Sequence, residues 1–166
     1  MWPCVALPEV QKFTEGRSGC DLGCADRCLE GAEGFDKSTG LDASDLSEWE
    51  DGKWEYVFSS HCLEHIVDWR HALSEWMRVV ADRGFLILYL PCRGYYPGDG
   101  NPDHKNELAP WEIIHFIEAD KSWRMIECFW PDHPMGDAHS SFLVVARKLG
   151  ESYNPPYLSR EYDISL

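Results

Sequence analysis

The stretch Gly19–Lys37, GCDLGCADRCLEGAEGFDK, decides the fold that we predict for this chain. It is typical of a strand, a glycine turn, a short crossover and a second strand that ends on an acid. Gly23 lies in the turn, where the absence of a Cβ lets a ligand approach the backbone. Asp36 ends the second strand, where a carboxylate can bind the two hydroxyls of a ribose. The stretch therefore predicts a nucleoside-binding crevice, and the alternative is a sharp turn followed by an ordinary surface acid.

The composition of the 166 residues fits one globular domain, since 44% of them are hydrophobic and 13% are aromatic. Acidic residues outnumber basic ones by 29 to 15, and the net charge of −14 would repel nucleic acid and anionic lipid, so we expect neither as a partner. The 7 cysteines include no C-x-x-C pair, which favours reduced thiols over disulfides or a zinc knuckle. We expect a cytoplasmic protein, also because no signal peptide or apolar run of about 18 residues is visible.

A second unit of strand, helix and strand follows between Trp54 and Pro91. The segment Trp54–Ser60 is aromatic and β-branched with almost no charge, as expected of a strand buried on both faces. From Val67 onward apolar residues recur every three or four positions, which predicts a helix, and the apolar run Phe85–Leu90 predicts the next strand. Buried strands joined by a helix predict a parallel sheet with helices on both faces.

The remaining segments complete this pattern. A leading helix, an edge-like third strand, a further helix and two last strands are predicted at Pro8–Gly16, Leu41–Leu46, Trp111–Ala119, Ser122–Trp130 and Ser140–Lys148. The loop between the last two strands suits an antiparallel pair. Residues 1–150 are thus predicted to form the domain, and residues 151–166 a tail packed on it.

Several motifs recur here in an order and spacing that belong to a known family. They are Asp21-Leu22-Gly23-Cys24, Gly34-Phe35-Asp36, Asp45-Leu46, the run Val57–His65 and the run Arg78–Leu86. Together they resemble class I S-adenosylmethionine-dependent methyltransferases, especially the small-molecule, type 11-like group in which LEH follows the fourth strand. The resemblance spans residues 17–149 and implies an α/β fold with a Rossmann-like, mostly parallel seven-stranded sheet, helices on both faces and an antiparallel last strand.

The resemblance also implies a site for S-adenosylmethionine at the carboxyl ends of the strands. The residues that it assigns to the cofactor are Asp21, Gly23, Cys24, Asp36, Lys37, Asp45, Leu46, Ser60 and His61. Among these, Asp36 would bind the ribose and Leu46 would border the adenine, while His61 would lie on the methyl-donor side and act as the catalytic base. Where the family usually has a second and third glycine, this chain has Ala25 and Arg27, which predicts a tighter approach at the turn.

The sequence His61-Cys62-Leu63-Glu64-His65 also matches H-x-x-E-H, in which two histidines one helical turn apart bind zinc and the glutamate acts as a base. A zinc peptidase is therefore a rival hypothesis. It requires the motif to lie inside a helix, with a further ligand from elsewhere, whereas here the motif directly follows a buried strand. We thus predict no metal ligands, and cap or packing roles for Glu64 and His65.

The long loop Cys92–Glu107 is rich in Gly, Pro, Asp and Asn and leaves the end of a buried strand, which favours a binding loop. Its candidate acceptor-binding residues are Tyr95, Tyr96 and His104. The chain has little insertion in which to build an acceptor domain, so a small molecule such as a sugar is the predicted acceptor. The predicted function is methyl transfer from S-adenosylmethionine to that acceptor, and the alternative is a methyltransferase fold kept as an inert binding module.

Overall fold

The structure, a computed structural model, describes residues 7–95, 101–129 and 141–150. Its helices and strands follow one another as α1 (Leu7–Thr14), β1 (Gly19–Leu22), β2 (Glu33–Phe35), β3 (Trp54–Ser60), α2 (Trp69–Val79), β4 (Val80–Pro91), α3 (Pro110–Glu118), β5 (Trp123–Phe129) and β6 (Ser141–Lys148). Two short 3-10 turns, at Lys37–Thr39 and Leu63–His65, directly follow the ends of β2 and β3. The predicted tail at residues 151–166 lies outside the described residues.

The strands form one sheet in the order β2-β1-β3-β4-β6-β5. Neighbouring strands among the first four are parallel, whereas β6 runs antiparallel to both β4 and β5. This topology confirms the predicted α/β fold with a mostly parallel sheet and an antiparallel last strand. The described residues contain six strands, so the predicted number of seven is wrong for this part of the chain.

The strand predicted at 41–46 is replaced by turns. The carboxylate of Asp42 accepts a hydrogen bond from the Ser44 N–H at 2.9 Å, and that of Asp45 accepts one from the Ser47 N–H at 3.0 Å. Aspartate side chains that bind nearby backbone groups in this way compete with the ladder of a sheet. A side chain of α2 also donates a hydrogen bond to a backbone carbonyl of this region, since Trp76 Nε1 donates to Ala43 O at 2.7 Å.

Helices cover both faces of the sheet, as predicted. The apolar residues of α2 recur at the helical spacing and are buried in the larger core on one face, where Ile113 and Ile117 of α3 also pack. They are Trp69, Ala72, Leu73, Trp76, Met77 and Val79. The other face is covered by α1, whose Val10 packs in a second core with Tyr56 and Ile87. None of the helices within the described residues has the length and apolar character needed to cross a membrane.

The first crossover is short, as predicted, and contains no helix. Residues 23–32 form turns only, and Leu29 alone of them is buried in the core on the α1 face. The Leu29 N–H is held by the carboxylate of Asp21, which accepts its hydrogen bond at 2.8 Å. A side-chain acceptor thus fixes this short connection where most parallel units use a helix.

Candidate functional site

The carboxyl ends of β1, β2 and β3 lie side by side, and each is followed by a residue predicted to bind the cofactor. Gly23 follows β1, Asp36 follows β2, and His61 follows β3. The Gly23 N–H donates to Phe35 O at 2.7 Å, and the His61 N–H donates to Tyr89 O at 2.9 Å, so the three ends are tied to the sheet. This edge of a parallel sheet is where open α/β proteins bind their ligands.

Asp36 has a fixed and charged carboxylate. It caps the 3-10 turn Lys37–Thr39: Oδ1 accepts from the Ser38 N–H at 2.9 Å, and the Asp36 N–H donates to Thr39 Oγ1 at 3.0 Å. The hydrogen bonds from Ser38 hold the pKa of Asp36 below its usual value, and a bond from the backbone of Ala25 adds to this effect. The carboxylate therefore faces the turn after β1 as an ionised acceptor, which fits the hydroxyl groups of a ribose.

Glycine is required at position 23 because the turn is closely packed. Gly23 has a φ of +78°, and a Cβ added there would lie only 2.4 Å from Cys62 Sγ. Burial raises the pKa of Cys62 to about 12, so its thiol stays protonated and packs as a small apolar group. Ala25 adopts a φ of +49°, in the left-handed region where a glycine would be unstrained. The tight approach of the cofactor predicted at this turn stays a prediction.

Asp21 carries a buried acceptor atom that the fold leaves unsatisfied. The residue is 2% exposed, and its Oδ1 has no hydrogen-bond partner among the described residues. Burial raises the pKa of Asp21 to about 6, although the Leu29 N–H works in the opposite direction. An unpaired buried carboxylate oxygen is unfavourable, and the ammonium group of an amino-acid ligand is the type of partner that would satisfy it.

The ring of His61 is oriented by contacts from three directions. Its Nε2 lies 3.1 Å from Ser141 Oγ in β6, and its Nδ1 lies 3.5 Å from Glu64 Oε1. The ring also packs edge-on against Tyr89, with 5.4 Å between the ring centroids. Ser60, at the end of β3, is half-buried beside it. These contacts hold the imidazole at the same edge of the sheet as Gly23 and Asp36.

The other residues predicted to bind the cofactor lie in different surroundings. Lys37 is exposed and forms an ion pair with Asp42 at 3.2 Å, while Asp45 is exposed in its own turn. Leu46 is 1% exposed and belongs to the core on the α2 face. Cys24 is half-buried, and its thiol donates to Ala25 O at 3.8 Å. The structure therefore brings Gly23, Asp36 and His61 to one edge of the sheet, and it leaves Leu46 with almost no surface for a ligand to contact.

The predicted acceptor loop contacts the chain that follows β3. The ring of His104 packs against that of His65, with 4.9 Å between the ring centroids. Tyr95 is half exposed, and Tyr96 lies outside the described residues. The backbone N–H groups of Lys105 and Asn106 both donate to Glu64 O, at 2.8 and 3.1 Å. This part of the loop is thus attached to the turn Leu63–His65.

Glu64 is the residue whose position sequence reasoning missed. It is completely buried, as the packing alternative expects, and neither of its carboxylate oxygens has a hydrogen-bond partner among the described residues, so its side chain does not cap the turn there. Only the H-x-x-E-H spacing hinted at this arrangement. Residues 63–65 of the motif form a 3-10 turn and not an α-helix, so these described residues lack the helical arrangement that a zinc peptidase needs.

Comparison with known proteins bears on both the fold and the family. Residues 23–88 match a family model described as a methyltransferase domain. A SAM-dependent methyltransferase from Archaeoglobus fulgidus is similar over 87% of this chain and 92% of its own, with a TM-score of 0.68 and 14% identity. One from Methanosarcina mazei is similar over 90% and 98%, with a TM-score of 0.58 and 14% identity. The [4+2]-cyclase SpnF is similar over 88% and 80%, with a TM-score of 0.64 and 13% identity.

The family match covers the turn after β1, the end of β2 and all of β3, which are the elements that form the candidate site. The structural neighbours extend the similarity to 87% and 90% of the chain. The chain has the fold of S-adenosylmethionine-dependent methyltransferases, and its residues 23–88 match the family model of a methyltransferase domain.

Proposed function

We propose that this protein transfers a methyl group from S-adenosylmethionine to a small-molecule acceptor. The observation that supports this most strongly is the carboxylate of Asp36, which is ionised and fixed beside the turn Gly23–Ala25 at the end of β2. A nucleoside cofactor needs an acceptor for its ribose hydroxyls at this point of the sheet. The position of the family match supports the same interpretation, since it includes this turn and this carboxylate.

The residues of the chain divide the binding of the cofactor between them. Asp36 would accept hydrogen bonds from the ribose hydroxyls, and Asp21 Oδ1, which is buried and unpaired among the described residues, would accept one from the ammonium group. By the resemblance, Asp45 would border the adenine together with Leu46. When bound, the cofactor supplies an electrophilic methyl group, and the protein has to align the acceptor with it.

His61 is the proposed general base. Its Nε2, which lies 3.1 Å from Ser141 Oγ, would take the proton of the acceptor hydroxyl. The carboxylate of Glu64, with Oε1 3.5 Å from Nδ1, would stabilise the positive charge that the ring gains. The acceptor is proposed to be small because the described residues contain no inserted domain beside this edge of the sheet.

The proposal is tested with S-adenosylmethionine labelled on its methyl group. The protein is incubated with a cell extract that has been separated into a small-molecule and a macromolecular fraction, and the transferred label is counted in each. We expect label in the small-molecule fraction, a strong loss of transfer in His61→Gln, and full transfer in His115→Ala, which changes an exposed histidine of α3. Label confined to the macromolecular fraction would exclude a small acceptor, and equal transfer by His61→Gln would exclude the proposed base.

A second candidate function is a module that binds the cofactor without transferring its methyl group. Two observations favour it: the crossover at residues 23–32 has no helix, and Cys62 packs directly against Gly23. The similarity to a protein described as a [4+2]-cyclase shows that this fold is not restricted to methyl transfer. Binding of the cofactor with no label in either fraction of the extract would favour this second function.

A further inference from the structure

Three side chains next to the candidate site form a group with the chemistry of a metal centre. Glu64 and His65 belong to the turn after β3, and His104 comes from the loop that precedes α3. Each of them offers one ligand atom, and these three atoms lie within 4.8 Å of one another. We propose that this group, the Glu64 cluster, binds a divalent transition-metal ion. The proposal does not depend on methyl transfer.

The carboxylate of Glu64 is the strongest sign of a missing partner. The side chain is completely buried, and both of its oxygens are without a hydrogen bond from the described residues. The ring nitrogens that face Oε1, His61 Nδ1 at 3.5 Å and His65 Nε2 at 3.8 Å, are too far away for good hydrogen bonds. Burying a carboxylate without compensation is expensive, and carboxylates in this position are normally paired or bound to a metal.

His65 is held in the orientation that a metal ligand needs. Its Nδ1 lies 3.0 Å from the backbone oxygen of Asp103, which can only accept, so that nitrogen carries the proton. Nε2 is then left with its lone pair on the side of Glu64. A histidine that binds a metal through one nitrogen usually donates the other N–H to a carbonyl or a carboxylate, and the contact with Asp103 O is a hydrogen bond of this kind.

His104 is brought to the cluster by backbone hydrogen bonds. Lys105 and Asn106, the two residues after it, both donate their N–H groups to Glu64 O, and the His104 N–H donates to Asn101 O at 3.0 Å. The side-chain amide of Asn106 donates to Ile66 O at 2.6 Å and ties the loop to the residue after the turn. The position of His104 is therefore fixed by the same segment that holds His65.

Two imidazoles and one carboxylate select the class of ion. Imidazole nitrogens favour zinc and similar transition metals, whereas magnesium and calcium prefer a shell of oxygens. Zinc bonds to such ligands measure about 2.0–2.2 Å, so closing the cluster around an ion needs each ligand atom to move by roughly 1 Å. Glu64 is buried, while His65 is exposed and His104 is half-buried, which leaves the side of the histidines open for an ion to enter.

Cobalt(II) is the probe that tests this site, because its absorption distinguishes nitrogen and oxygen ligands from thiolates. This distinction is needed since the chain has 7 cysteines. The intact protein, freed of metal with a chelator, is titrated with cobalt(II) and followed by calorimetry and absorption. We expect one ion per chain, spectra without a thiolate charge-transfer band, competition by zinc, and no competition by magnesium at equal concentration.

Two substitutions connect the ion to the cluster. His104→Ala removes a half-buried ligand, and Glu64→Gln keeps the shape of the side chain but removes its charge. We expect each to weaken cobalt affinity by about 10-fold or more, and His115→Ala, an exposed histidine outside the cluster, to leave it unchanged. Without metal, Glu64→Gln should melt at a temperature equal to or above that of the parent, because a buried carboxyl group without a hydrogen bond from the described residues is gone.

Thermal melting in the presence of chelator shows whether each variant is folded. If Glu64→Gln does not fold, the cobalt affinity of His104→Ala alone tests the proposal. Cobalt affinity that His104→Ala leaves unchanged would overturn the proposal. A thiolate band in the cobalt spectrum would overturn it as well, because the ion would then be held by cysteines. The proposal would also be overturned if the parent protein bound no cobalt at millimolar concentration.

Discussion

Asp36 and Asp42 use their carboxylates in the same way, which makes them a matched pair for testing the ribose site. Each accepts a hydrogen bond from the backbone N–H two residues later at 2.9 Å, but only Asp36 lies at the end of β2. Asp36→Ala should weaken binding of S-adenosylhomocysteine, the demethylated cofactor, by roughly 1.5–3 kcal/mol, the cost of losing hydrogen bonds to a charged group. Calorimetric titration measures the difference.

Asp42→Ala serves as the control, since it removes a comparable turn bond and should change the affinity for the cofactor little. Both variants should lose about 1 kcal/mol of folding stability, because a carboxylate that accepts hydrogen bonds from the backbone of its own turn is gone. If the two variants bind the cofactor equally well, Asp36 has no part in the ribose site.

Asp21 should make folding stability depend on pH. Its pKa is raised to about 6 in the folded protein, against an ordinary value of about 3.9, so the fold disfavours the ionised form. The free energy of unfolding therefore gains from this group as the pH falls from about 6 to about 4, and the gain is absent at higher pH. Asp21→Asn should raise the free energy of unfolding by roughly 2–3 kcal/mol at pH 8 and by little at pH 4.5.

Urea unfolding of the two proteins at a series of pH values measures this difference directly. The same substitution should weaken cofactor binding, because the proposed acceptor for the ammonium group has lost its charge. A difference in stability that stays constant between pH 4.5 and pH 8 would show that Asp21 does not titrate as described.

At the scale of elements, the contact between the ends of β1 and β3 can be tested through two glycines. Gly23 and Gly16 both have a positive φ, but a Cβ at Gly23 would meet Cys62 at 2.4 Å, whereas one at Gly16 would meet nothing within 4 Å. Gly16→Ala should cost about 1 kcal/mol of stability from backbone strain alone. Gly23→Ala should cost about 1–3 kcal/mol more, because it also overpacks the turn. If urea unfolding shows that both variants lose the same stability, the Cys62 side chain moves away from the added methyl group at little cost.

Sequence patterns predicted the elements whose signals are local. The apolar spacing of α2 and the aromatic, β-branched run of β3 are confirmed, because both are dictated by burial on a regular surface. The prediction of a strand at 41–46 is wrong. The carboxylates of Asp42 and Asp45 accept hydrogen bonds from backbone N–H groups two residues later, and Trp76 of α2 donates to the backbone carbonyl of Ala43. That outcome depends on tertiary contacts more than 30 residues away in sequence, which no local pattern contains.

At the scale of the whole molecule, the sheet determines which distant residues meet. The order of the strands brings Gly23, Asp36 and His61 together, as the sequence motifs predicted. The contact between Glu64 and the segment at 103–106 was not predictable, because it is made by backbone groups of a long loop whose path depends on packing. The charge of −14 agrees with the expectation that nucleic acid is not a partner, which stays a prediction.

The central claim is that the edge formed by the ends of β1, β2 and β3 binds the cofactor. Calorimetric titration of the intact protein with S-adenosylhomocysteine tests it most directly, with thermal melting as the second readout. We expect one saturable site per chain and a melting temperature that rises with ligand concentration, because a ligand that binds only the folded state must stabilise it. A folded protein that gives no binding heat and no change in melting temperature at millimolar ligand would contradict the claim.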